Sequence, residues 1–163
     1  MSTRPAHPST RSTRARSAVA KRDGAPAPHV KTLTDAKGSS YPPGRMLIAS
    51  PLAVQDELAS VPEGRVITAP QLRARLARRF GADYTCPITT GIFLRIVAEA
   101  ALEEARAGEV PVWRVVSENG ALLDKLPGGP ERQAARLQAE GVAVVRRRSR
   151  WFVDDMEHVA MTG

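Results

Sequence analysis

The chain has 163 residues, 42% of them hydrophobic and 25% charged, which is enough for one domain with its own core and too apolar for a wholly disordered chain. Its net charge of +7 is uneven: residues 1–40 hold eight Lys/Arg against two Asp and carry +6, leaving +1 for the rest. The single cysteine, Cys86, excludes an internal disulfide and a Cys-rich zinc site; no run is apolar enough to cross a bilayer, and the absence of a signal-like apolar stretch leads to the expectation of a reducing cytoplasm.

Residues 1–44 are rich in Ser, Thr, Pro, Ala and Arg and show no hydrophobic period. Such a segment buries too little apolar area to offset its ordering entropy, so a disordered basic tail is expected here, with a domain over 45–163. As an arm, the tail would add about 0.9 to the salt slope for each phosphate it neutralises. Tyr41-Pro-Pro-Gly-Arg45 punctuates the domain start. Ser50-Pro51 predicts a cap and first-turn proline for a helix over about 51–59.

After the turn Pro62-Glu-Gly64 and the short extended run Val66-Ile67-Thr68, a helix is expected over 69–80. Leu72, Leu76 and Phe80 repeat at i, i+4, i+8 as its buried stripe, and Thr68 is placed to cap it. Thr85-Cys86-Pro87 opens a further helix to about Ala107. Two helices joined by a short turn containing Gly81 predict a helix-turn-helix. From Arg65 to Arg95 six arginines face one acid, Asp83, and the helix then turns acidic at Glu99, Glu103 and Glu104. That sign change predicts phosphate at the helix's N-terminal end, although arginines also suit a solvated helix face.

Pro111–Val116 reads as extended, and a helix is expected over about 130–140, stopped by Gly141. Val142–Val145, the basic run Arg146, Arg147, Arg148, Ser149, Arg150, and then Trp151-Phe152-Val153 predict a hairpin in the position of a wing. Asp154, Asp155, Glu157 and His158 read as a solvated stretch. No catalytic triad, phosphate loop or metal-ligand spacing is present, and no cofactor is expected.

The segment from Gly64 to Gly141 resembles the C-terminal DNA-binding domain of the alkylguanine-DNA alkyltransferases and of the alkyltransferase-like proteins, which lack their activity. Four stretches carry the resemblance: Gly64-Arg-Val-Ile-Thr-Ala-Pro-Gln-Leu72, Pro87-Ile-Thr-Thr-Gly91, Pro111-Val-Trp-Arg-Val-Val116, and Gly128-Gly129 followed by Gln133, Leu137 and Glu140-Gly141. The resemblance implies a mainly helical fold with small β elements, a winged helix-turn-helix that binds the minor groove of double-stranded DNA with weak sequence preference. It also implies work beside other DNA repair proteins, in the cytoplasm and at the bacterial nucleoid.

Departures from the family matter as much. The family's acceptor cysteine is activated by a histidine, water and glutamate relay. Here Val112 stands at the cysteine position, Trp113 at the histidine position, and Glu140 keeps the glutamate position. A valine has no lone pair to attack an alkyl carbon, so the usual transfer is excluded there and a non-enzymatic binder of alkylated or distorted DNA is expected. Ile88 replaces the family's base-displacing arginine, and Ala69 its phosphate-crowding tyrosine.

The expected DNA interface comprises Thr68, Arg73, Arg75, Arg79, Thr85, Ile88, Thr89, Thr90, Gly91, Arg95, Arg146, Arg147 and Arg148, beside a pocket of Val112, Trp113, Arg114 and Glu140. Trp113 serves either as a stacking wall for a base or as a core aromatic, and Arg114 either meets DNA or pairs with Glu140. Two other functions stay open. Cys86, at a predicted helix start, is either a buried hydrophobe or the nucleophile of a thiol enzyme such as a relocated alkyltransferase. The near-neutral domain also fits a protein-interaction module on the same fold.

Overall fold

The computed structural model describes residues 16–34 and 40–162. It is a mainly helical molecule with six helices and three small sheets among those residues. Helix α2 (Pro51–Leu58) starts where Ser50 Oγ accepts the Ala53 N–H at 3.1 Å, with Pro51 in the first turn. Helix α3 (Ala69–Arg79) has a reciprocal cap: Thr68 Oγ1 accepts the Gln71 N–H, and Gln71 Oε1 accepts the Thr68 N–H. Leu72 and Leu76 turn their expected stripe into the core. Helix α4 (Pro87–Glu103) begins at Pro87 and ends at Glu103, earlier than Ala107; Ala105 already has a positive φ of 55°. Helix α5 (Gly129–Ala139) stops at Glu140.

A three-stranded sheet joins β1 (His29–Leu33), β2 (Gly44–Ile48) and β4 (Tyr84–Thr85), with β1 antiparallel and β4 parallel to β2. It ties the turn between α3 and α4 to the start of the domain. Strand β3 (Ile67–Thr68) runs parallel to β5 (Val115–Val116). The expected hairpin is present as β6 (Val144–Arg147) and β7 (Arg150–Val153). A short α6 (Met156–Val159) follows, and the chain end returns to Val66, whose N–H donates to the Val159 carbonyl.

Two expectations are corrected. Residues 111–116 are not one extended run: Val112–Arg114 form a 3-10 turn, and the strand begins at Val115. The turn lets Val112 and Trp113 face two adjoining cores. The basic tail is not structureless throughout. Within it stand α1 (Ala18–Asp23) and β1, whereas residues 1–15 and 35–39 lie outside the described residues. The segment carries no hydrophobic period because its order comes from distant partners. Glu103 accepts the Ala18 and Val19 N–H groups at 2.8 and 3.0 Å, and the buried Arg22 pairs with Glu104 and Asp23. Glu103 and Glu104 belong to the end of α4, where the sequence alone shows only a solvated acidic run.

The main core packs Leu47, Val54, Leu58, Ile67, Leu72, Leu76, Val97 and Val115; a second, with Val66, Trp113, Val116, Leu137 and Val153, lies under the hairpin. Together they fix α3, α4 and the hairpin as one frame.

Candidate nucleic-acid interface

One side-chain bond ties α3 to the start of α4, and another closes the first turn of α4. Thr85 Oγ1 donates to the Arg73 carbonyl at 2.8 Å, and Thr90 Oγ1 donates to the Cys86 carbonyl at 2.7 Å. Thr68, Thr85 and Thr90 are buried, at 8%, 3% and 4% exposure, so their hydroxyls serve the fold rather than a phosphate. This corrects their place in the expected contact surface. Ile88, Thr89 and Gly91 remain accessible at the first turns of α4. A side chain added at Gly91 would meet open space, so another molecule can approach its backbone closely.

The expected arginines divide into two sets. Arg75 bonds Ser60 and faces Glu57 at 3.7 Å, while Arg79 faces Asp56 at 3.5 Å and stacks on Phe80. Both therefore turn to the acidic side of α2. Arg95 lines the groove beside α4 and bonds Glu99 one turn on, at 2.9 Å. Arg73 contributes its carbonyl to the α3–α4 turn.

The hairpin arginines are ordered by aromatic rings. Arg146 lies 5.5 Å from the Trp151 ring centre on one face, and Arg147 and Arg150 each lie 5.9 Å from Phe152. Cross-strand pairing of Arg146 with Trp151 and of Arg147 with Arg150 puts these groups side by side. Stacking limits the rotamers the guanidinium groups lose on meeting a phosphate. The tip residues Arg148 and Ser149 have φ of 47° and 68°, the geometry of a tight two-residue hairpin turn, here without glycine.

Wing and helix meet at one groove of about 600 Å3. Pro87, Ile88, Gly91, Ile92 and Arg95 of α4 form one wall; residues 122–126 form the other; Arg150 of the wing closes one side. The loop is sewn to the wing by the Leu122 N–H on the Trp151 carbonyl and the Val153 N–H on the Gly120 carbonyl. Buried Gln133 holds the loop from α5: its Oε1 accepts the Leu123 N–H at 2.7 Å, and its Nε2 donates to the Trp113 and Val115 carbonyls. Sequence reasoning placed Gln133 in a motif but gave it no task, because its partners are backbone groups that no side-chain pattern reveals.

The four residues of the expected pocket do not line one cavity, since Arg114 and Glu140 lie outside the small recess that Val112 and Trp113 border. Val112 and Trp113 border a cavity of only about 40 Å3, against α4 and α5. Trp113 is a core aromatic whose Nε1–H donates to Glu140 Oε1 at 2.9 Å. Arg114 pairs with Glu140 at 2.6 Å and donates to the Val61 carbonyl, and the Gly64 N–H donates to Glu140 Oε2. Burial raises the Glu140 pKa, but bonds from Arg114, Gly64 and Trp113 outweigh it and hold the carboxyl below its ordinary value. Of the alternatives open in the sequence, the core aromatic and the ion pair are the ones realised.

Cys86 stands at the N-cap position of α4, without a side-chain capping bond, and is 4% exposed. Burial raises its pKa, yet hydrogen bonds from Thr89, Tyr41 and Ile88 leave the thiol below its usual value. None of these groups is a histidine or a carboxylate able to take its proton. Among the described residues, no group of three or more His, Cys, Asp and Glu is arranged to hold a metal, and no helix is long and apolar enough to cross a membrane.

A helix-turn-helix whose second helix and wing border a common groove defines a protein of the DNA-binding winged-helix class. The chain belongs to the family described as 6-O-methylguanine DNA methyltransferase, DNA binding domain, whose sequence model matches residues 50–142. The N-terminal segment that carries α1 and β1, a strap along α4 and β2, and the wing lie outside the matched stretch. Two solved structures are similar, Atl1 of S. pombe in complex with damaged DNA containing O6-carboxymethylguanine, and S. pombe ATL in complex with DNA. Each is 22% identical, and each match covers 69% of this chain and 94% of the other, with TM-scores of 0.49 and 0.48. No curated protein sequence matches the chain.

Proposed function

We propose that this protein binds duplex DNA, recognises alkylated or distorted sites, and leaves the chemistry of repair to other proteins. The observation that carries the reading is the Trp113–Glu140–Arg114 cluster, whose polar groups bond one another beside Val112, the residue that the resemblance sets at the acceptor position. A valine side chain offers no electron pair for an alkyl group, and the neighbouring indole cannot act as a general base. What supports DNA binding is family membership, the accessible start of α4, and the ordered arginines of the wing. The surface fits a backbone-led contact, in which phosphate bonds fix position and the groove samples local distortion.

The test is direct. The full chain is titrated against a duplex with one O6-methylguanine and against the same duplex unmodified, at several salt concentrations. Tighter binding to the modified duplex, with the methyl group still on the DNA after long incubation, is the expected result. Equal affinity for both duplexes removes damage recognition. A methylated protein peptide in the mass spectrum removes the non-enzymatic reading, and its position would show whether Cys86 is the acceptor.

A further inference from the structure

The second half of α4 and the start of α5 enclose a recess apart from the groove beside Ile88. Ala98, Ala101 and Leu102 of α4, with Val110 and Leu126, give it apolar walls, and Leu102 is 39% exposed. Ala98 stands about 15 Å further along the helix than Ile88. The volume of about 40 Å3 is too small for a base and suits the tip of one aliphatic side chain.

Two cations edge these apolar walls. Arg132 and Arg136 stand one turn apart on α5 and so share a face. No acid belongs to the lining, and neither guanidinium meets a carboxylate among the described residues. Glu131, their neighbour in sequence, is exposed and outside the lining. Arg136 is held in place, with its guanidinium carbon 5.0 Å from the Trp113 ring centre. Stacking fixes the planar group and leaves its N–H edge available to a carboxylate. The Gln133 amide, also in the lining, is already bonded to the Leu123 N–H and to the Trp113 and Val115 carbonyls.

This combination selects the partner. A duplex offers phosphates to the arginines, but its bases are too large for the recess. A peptide with Leu, Ile or Val beside Asp or Glu offers a match to both. We propose that the recess docks an acidic segment of another protein, with one aliphatic side chain between α4 and α5 and neighbouring carboxylates on Arg132 and Arg136. The inference goes beyond the DNA-binding reading, and the dock shares only Leu126 with the groove beside Ile88.

The experiment selects a display library of short random peptides on the immobilised full chain, then titrates a fluorescent copy of the most enriched peptide in solution. The enriched peptides are expected to share an aliphatic residue next to Asp or Glu. Arg132→Glu with Arg136→Glu is expected to weaken binding roughly 10-fold or more, the scale of losing charge-assisted hydrogen bonds, and to bind instead the peptide with Lys in place of its acids. Leu102→Ser keeps both cations and is expected to weaken binding several-fold, which a purely electrostatic contact would not show. Arg132 is exposed, so Arg132→Glu alone keeps its unfolding temperature, measured alongside, and already weakens the peptide. Duplex affinity and its salt slope are expected to match wild type in these variants. No enrichment, enrichment of peptides without acids, or peptide binding unaffected by Arg132→Glu overturns the dock. Loss of duplex affinity in the arginine variants assigns them to DNA and overturns it as well. Self-association of the wild type that Arg132→Glu abolishes makes the occupant a second copy of the chain, and this too overturns the proposal. Failure of the wild type to bind any duplex, with the peptide still bound, removes the DNA-binding reading and leaves the dock standing.

Discussion

The indole Nε1–H of Trp113 donates to Glu140 Oε1 at 2.9 Å, and the same carboxylate takes the guanidinium of Arg114 at 2.6 Å. Neighbours in sequence thus converge on one acid 26 and 27 positions away, at the end of α5. With the Gly64 N–H also bonded, the Glu140 oxygens are engaged by structural donors. The carboxylate is a clamp joining the 3-10 turn, the loop before β3 and the end of α5.

That clamp predicts a stability loss with a defined pH signature. Side-chain exposure of Glu140 is 8% and of Arg114 14%. Glu140→Ala leaves Arg114 without its charged partner and is expected to cost about 3 kcal/mol, the scale for breaking a buried pair. The folded-state pKa of Glu140 is depressed, so its contribution is fully present above the unfolded value of about 4.3 and is lost as pH falls through the folded value. Glu140→Gln should therefore lower the denaturation midpoint at pH 7 and narrow the difference from wild type below about pH 4. Urea melts across that range check both arms, and parallel curves would refute the assigned role.

A second prediction concerns restoring chemistry. Val112→Cys places a thiol where the resemblance puts the family's acceptor, but Trp113 still occupies the neighbouring position and the adjacent cavity is only about 40 Å3. The variant is expected to take no methyl group from a methylated oligonucleotide, as read by intact-protein mass. The double variant Val112→Cys with Trp113→His supplies the missing base, yet it removes an indole bond to Glu140 and so should melt lower than the single variant. Transfer by the single variant would show that the small recess does not bar the substrate.

The arginines give a third. Arg146, Arg147 and Arg148 sit on the exposed wing, where Arg147 also faces Asp154 at 3.6 Å, whereas Arg75 and Arg79 face the acids of α2. Changing the three wing residues to Ala is expected to reduce the slope of log affinity against log salt by about 0.9 for each phosphate that is no longer neutralised. Arg75→Gln with Arg79→Gln should leave that slope unchanged and shift only the melting temperature. If the two sets behave alike, the helix arginines meet DNA as the sequence led one to expect.

These cases show what the sequence carried and where it stopped. Caps and stripes were legible because they are local: Ser50-Pro51, Thr68 with Gln71, and Leu72 with Leu76 each announce an element from a few residues. The hairpin was legible from apolar runs around a basic tip. The direction of an arginine was not, because Arg79 belongs to Asp56 through the packing of α2 on α3. Buried threonines were misjudged for a similar reason, since Thr85 and Thr90 find acceptors in backbone carbonyls. The strap was missed because its short helix has only the local cap Ser17, while Glu103 accepts its first N–H groups from 84 and 85 positions away.

The strap itself is open to test. Arg22 is 7% exposed and bonds Glu104 and Asp23, which hold its pKa above the ordinary value. Arg22→Ala is expected to loosen α1 from α4, lower the melting temperature and open the chain to trypsin at Lys21, with cleavage at Lys31 in β1 and within α3 and α4 unchanged. Equal cleavage rates at Lys21 in variant and wild type would mean that the ion pair does not hold the strap.

Gln133 offers the sharpest separation of scaffold from surface. It is 3% exposed, and its amide satisfies the Leu123 N–H and the carbonyls of Trp113 and Val115. Gln133→Leu conserves much of the volume but leaves those three backbone groups without the partner, each at a cost of about 1–3 kcal/mol when buried. The loop wall of the groove, residues 122–126, is then held mainly from the wing side, by the Leu122 N–H on the Trp151 carbonyl. Amide exchange at Leu123 should accelerate far more than exchange in α3, because the loss is local to one wall. Affinity for DNA should fall with the salt slope intact, since no basic residue is touched. Unchanged protection at Leu123 would show that the wing alone positions the groove.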